Sequence, residues 1–100
     1  MAIQLTRNTI ISLLKAEKSY LTKEFGVLNI GLFGSFAKGQ SDRNSDIDLI
    51  VELSEPRFDY LAGLHIYLEK KFSRKIEIVR KGSRINSRFV QRVEKDTIYA

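Results

Sequence analysis

The chain has no cysteine and a single proline among its 100 residues. Without cysteine there is neither a disulfide framework nor a thiolate metal site. Without proline-rich or low-complexity stretches there is no evident linker, so one domain is expected over residues 1–100. A chain of this length buries one modest core, and 43% hydrophobic residues suffice for it. No apolar run approaches the length of a membrane span. The opening Met-Ala-Ile-Gln-Leu-Thr-Arg lacks the charged-then-apolar order of a signal peptide, so the cytoplasm is the expected location. Acidic residues are scarce relative to basic ones, 12 against 17, for a net charge of +5.

That charge is concentrated. Between Lys70 and Lys95 lie ten basic residues (Lys70, Lys71, Arg74, Lys75, Arg80, Lys81, Arg84, Arg88, Arg92 and Lys95) against Glu77 and Glu94. Such a field suits an anionic partner, whether a nucleoside triphosphate, a nucleic acid or an acidic protein surface. It equally describes a solvated helix face and loop, and charge does not choose among these.

Hydrophobic periodicity gives the order α-β-β-α-β-α. An amphipathic helix spans about Thr6 to Phe25, with Ile10, Leu14, Leu21 and Phe25 in one stripe, Thr6 as N-cap and Gly26 as stop. Val27 to Phe33 reads as a buried strand broken by Gly34-Ser35, with a brief helical turn at Phe36-Ala37-Lys38. Gln40 to Ser45 is a polar loop. A second strand runs from Asp46 to Leu53. A second helix runs from about Phe58 to Phe72, with Phe58, Leu61, Leu68 and Phe72 on one side. Lys75 to Val79 alternates as a third strand, and Arg80 to Arg84 forms a basic loop containing Gly82. Ile85, Phe89 and Val93 mark a last short helix, and Thr97-Ile98-Tyr99 a small edge strand. The expected class is α/β (α+β), a small mixed sheet with helices packed against it.

The chemistry concentrates in Ile30-Gly-Leu-Phe-Gly-Ser-Phe-Ala-Lys-Gly-Gln-Ser-Asp-Arg-Asn-Ser-Asp-Ile-Asp-Leu-Ile-Val51. In an extended strand Asp46 and Asp48 leave the same face. Two adjacent carboxylates repel unless a cation lies between them or one takes a proton. At the mouth of a glycine turn this suggests Mg²⁺ shared with a phosphate ligand. Glu77 lies mid-strand, and if the third strand neighbours the second it faces the pair. Two Mg²⁺ ions held by Asp46, Asp48 and Glu77 then clamp both oxygens of an in-line displacement, with Glu77 helping to remove the incoming proton. The bland alternative is an edge-strand glutamate in water beside Lys75.

Gly34 lets backbone N–H groups approach a phosphate, Ser35 adds a hydroxyl, and Lys38 offsets negative charge. Gly34-Ser-Phe-Ala-Lys-Gly39 is not a P-loop, because Gln40 stands where that motif requires lysine. His65, the single histidine, falls on an apolar helix stripe and reads as a packed residue bonded to a neighbour. Tyr20, Tyr60, Tyr67 and Tyr99 read as core or boundary residues.

Gly34-Ser-Phe-Ala-Lys-Gly39 with Ser45-Asp46-Ile-Asp48-Leu-Ile-Val51 resembles the signature of the nucleotidyltransferase superfamily that includes the polymerase β palm. The small size and the Gly-Ser-Phe-Ala-[Arg/Lys]-Gly form resemble its minimal (MNT) branch. The resemblance covers nearly the whole chain. It implies transfer of AMP from ATP to a tyrosine of a HEPN ribonuclease toxin, with the chain as antitoxin. It also implies nucleotide contacts at Gly34, Ser35, Lys38 and Ser45, and Mg²⁺ ligands at Asp46, Asp48 and Glu77. Two departures stand out. Glu77 replaces the family's usual aspartate, moving the carboxylate by about one bond length in chemistry sensitive to about 1 Å. Lys38 replaces the commoner arginine and gives up its fork. Larger members grip their acceptor with further domains, so here another molecule is expected to bring its hydroxyl. The alternatives are a catalytically degenerate antitoxin acting by contact alone, and nucleic-acid binding through the basic stretch. Nucleic acid is not expected as direct substrate.

Overall fold

The computed structural model describes residues 5–42, 44–81 and 87–100, with only the backbone at Ser87. Gly82, Arg84 and Ile85, assigned above to a basic loop and a helix start, lie outside the described residues.

Helix α1 spans Arg7–Phe25. Thr6 and Thr9 close a reciprocal cap, each hydroxyl accepting the other's backbone N–H, at 3.2 Å to Thr6 Oγ1 and 2.7 Å to Thr9 Oγ1. Ile10, Leu14 and Leu21 are fully buried. Gly26 ends the helix at φ +64°, in the left-handed region that glycine enters without strain. Strand β1 follows at Val27–Phe33. Helix α2 takes Gly34–Lys38, beginning two residues before the expected turn, and Gly39 closes it.

Strand β2 (Ile47–Leu53) leads to helix α3 (Phe58–Phe72) and strand β3 (Ile76–Arg80). Helix α4 (Ser87–Lys95) precedes the two-residue strand β4 (Ile98–Tyr99). The sheet order is β3-β2-β1-β4. β2 runs parallel to β3 and antiparallel to β1, and β4 is antiparallel to β1. Alternation along β2 sends Ile47, Leu49 and Val51 into a core with Ile30 and Leu32 of β1, the α1 stripe, and Leu64, Leu68 and Phe72 of α3. The same alternation turns Asp48 to the opposite face.

Two expectations need correction. The buried stripe of α3 runs through Leu64, Leu68 and Phe72, while Phe58 is 83% exposed. Phe58 opens the helix at Arg57's extended cap, one turn before the helix meets the core. Strand β2 starts at Ile47, not Asp46, because its ladders end there. Ile47 is the last residue matched with β3, and on the other side the register stops at Asp48 opposite Phe33, where β1 turns into α2. Asp46 therefore precedes the strand, and its side chain is not placed by strand alternation.

Candidate active site

Asp48 occupies a junction built by the two ladders. Across β3 it is registered with Glu77, and across β1 with Phe33, the residue before Gly34. In a parallel pair, registered side chains share a face, which brings the Asp48 and Glu77 carboxyl groups near each other. The Asp48 carboxyl is pushed up from 3.8 to about 6, first by burial, then by the neighbouring Glu77, then by the charge of Asp46. Glu77 is exposed, as an edge-strand residue would be, yet it meets Asp48.

On the opposite flank, Gly34 has φ +74°, and a Cβ there would overlap Asp48 Oδ2. Glycine is thus required twice, by backbone conformation and by the approach of the carboxylate. The sequence pointed to Gly34 as a phosphate-binding turn; its contact with Asp48 depends on a register that no local pattern reveals.

The other candidates are spread around this junction. Ser35 sits half-buried in the first turn of α2, and Lys38 is exposed at its end. Lys38 and Gly34 line a groove of about 180 Å³ whose far wall is Phe89, Arg92 and Val93 of α4. Ser45 is engaged locally: its hydroxyl accepts from the Asp42 N–H at 2.9 Å, and its carbonyl accepts from the Arg74 guanidinium at 2.9 Å. Arg74 also lies 5.5 Å from the Phe36 ring centroid. It thereby ties the loop before β2 to α2, a positioning part that the sequence showed only as one basic residue among ten.

Beside Glu77, between α3 and β3, runs a mostly apolar groove of about 600 Å³ lined by Phe58, Leu61, Ala62, His65 and Lys75. His65 is bonded as expected, its Nε2–H donating to the Ile76 carbonyl at 2.7 Å, with Glu69 3.2 Å away.

The donor set suits a hard divalent cation: three carboxylates, no competing thiolate, and one carboxyl whose proton affinity is raised by burial and then by its acidic neighbours. As the side chains stand, Glu77 and Asp46 both act on Asp48 through their charge. Among the described residues no three acidic or histidine side chains are drawn together tightly enough to ligate one ion.

Residues 14–100 match the family described as Nucleotidyltransferase domain. The chain is 34% identical over 96 residues to the protein adenylyltransferase MntA of Thermococcus cleftensis, covering 95% of this chain and 96% of that one. A solved structure described as "putative minimal nucleotidyltransferase" superposes with a TM-score of 0.78 at 28% identity, over 95% of this chain and 96% of the other. A toxin–antitoxin structure with AMP-PNP shares the fold at a TM-score of 0.68 and 24% identity, over 95% of this chain and 72% of the other. The chain belongs to the nucleotidyltransferase family, as one of its minimal members.

Proposed function

We propose that this protein transfers AMP from ATP to a hydroxyl, a tyrosine on a HEPN ribonuclease toxin, and so serves as that toxin's antitoxin. The observation that carries the reading is the registered pair Asp48–Glu77, with Gly34 against Asp48 on the other flank. It sets a paired, elevated-pKa carboxyl group beside a glycine turn where a triphosphate can approach. The relative named protein adenylyltransferase and the similar toxin–antitoxin fold with AMP-PNP support the nucleotide and the partner.

In this reading the acceptor oxygen bonds to the α-phosphorus as the bond to the β-phosphate oxygen breaks. Pyrophosphate departs with the electron pair. The hydroxyl proton passes to Glu77, the exposed carboxylate registered with Asp48 on the edge strand. Gly34 and Ser35 offer backbone and hydroxyl donors to the phosphates, and Lys38 offsets their charge. Asp46, Asp48 and Glu77 are the residues that would hold Mg²⁺, which supplies positive charge against the triphosphate when bound.

Glutamate at position 77, in place of the family's aspartate, favours a second reading in which the chain neutralises its partner by contact alone. Incubation with α-labelled ATP, Mg²⁺ and the product of the adjacent gene separates the two. AMP transfer predicts label on the partner that disappears with Asp46→Asn or Asp48→Asn. Neutralisation of the partner with no label would establish the contact-only reading instead.

A further inference from the structure

We infer that Arg92 of α4 is a binding residue for the departing pyrophosphate, acting with Lys38 across the groove at Gly34; this rests on the nucleotidyl-transfer reading above. Strand order β3-β2-β1 places Glu77 and Gly34 on opposite flanks of Asp48. An in-line displacement sets the incoming and departing oxygens on opposite sides of the phosphorus. With the acceptor proton taken on the Glu77 flank, the bond to the β-phosphate breaks on the Gly34 flank, and the electron pair leaves on the pyrophosphate oxygen there.

That flank holds the groove bounded by Phe33, Gly34 and Lys38 on one side and by Phe89, Arg92 and Asp96 on the other. At about 180 Å³ it falls below the size of a drug-sized ligand pocket and suits a diphosphate rather than a whole nucleotide. Its lining carries two cations, Lys38 and Arg92, against one carboxylate, Asp96. Among the described residues neither Lys38 nor Arg92 is held in an ion pair. Arg92 supplies the planar fork that lysine at position 38 lacks, in a geometry matched to phosphate oxygens. Sequence offered no means of choosing Arg92 from the ten basic residues between Lys70 and Lys95; the groove does.

The test is calorimetric titration of ATP, pyrophosphate and AMP, each with Mg²⁺, into the wild-type protein, Arg92→Ala and Arg92→Lys. Arg92→Ala should weaken ATP and pyrophosphate about ten-fold while leaving AMP within about two-fold, and Arg92→Lys should recover part of the loss. Unchanged ATP affinity in Arg92→Ala, or equal loss for ATP and AMP, overturns the assignment and leaves nucleotidyl transfer standing. A wild-type protein that takes up none of the three overturns both.

Discussion

Asp48 is the residue on which the site turns, and its environment makes a pH prediction with a definite sign. Its carboxyl group rises from 3.8 to about 6 on folding, so the folded chain holds that proton more tightly than the unfolded one. The associated stability is full below about pH 4 and is lost as pH rises through about 6. Asp48→Asn, which cannot ionise, should therefore raise unfolding stability at pH 8 by about 1–3 kcal/mol and change it little at pH 4. Denaturant melts at the two pH values check this; equal effects at both would show that Asp48 carries no ionisation strain. The same residue shows how far the site could be read in advance. Asp46, Asp48 and the Gly34 turn are close in sequence, and their spacing alone marks them. The meeting of Asp48 with Glu77 spans twenty-nine positions and depends on β2 and β3 being parallel neighbours in one register. The resemblance implies a nucleotide contact at Ser45, whose hydroxyl also bonds Asp42 within the loop.

At the scale of elements, α1 and α3 are fastened by a polar clasp over the core. The Tyr67 hydroxyl donates to Glu17 Oε2 at 2.6 Å, and Lys71 Nζ lies 2.8 Å from Glu17 Oε1. Lys71 and Tyr67 hold the Glu17 carboxyl below its usual value, and Glu17 pushes the Tyr67 hydroxyl up to about 12. The rings of Tyr20, Phe25 and Tyr67 cluster beside it, with centroids 5.0 to 6.2 Å apart. Tyr67→Phe keeps the ring packing and removes one charge-assisted hydrogen bond. It should lower stability by about 1–2 kcal/mol and leave nucleotide affinity unchanged, read from a denaturant melt and a titration. A change in affinity would mean that the helix layer is coupled to the site. These elements were legible because α1 and β1 carry their own periodicity and stops, Thr6 and Gly26 among them. Phe58 misled, because its place on the α3 stripe says nothing about whether the core extends under the first turn.

The whole molecule measures 37 × 29 × 19 Å, and its shortest dimension is about that of one sheet layer with one helix layer. No helix among the described residues is long and apolar enough to cross a membrane. Glu77 lies exposed on the edge strand beside Asp48, and the α3–β3 groove runs along that edge. On the function proposed above, the acceptor would approach from that edge, while α4 lines the groove on the Gly34 flank. The net charge of +5 gives the surface a field suited to ATP and to acidic protein alike, so salt alone will not distinguish them. The central claim is that Asp48 and Glu77 act together on a nucleotide held beside Gly34. Its most direct measurement is calorimetric titration of ATP with Mg²⁺ into the wild-type protein, Asp48→Asn and Glu77→Gln. The account predicts saturable uptake by the wild-type protein and at least about ten-fold weaker binding by each variant. Wild-type affinity retained in both variants would contradict it.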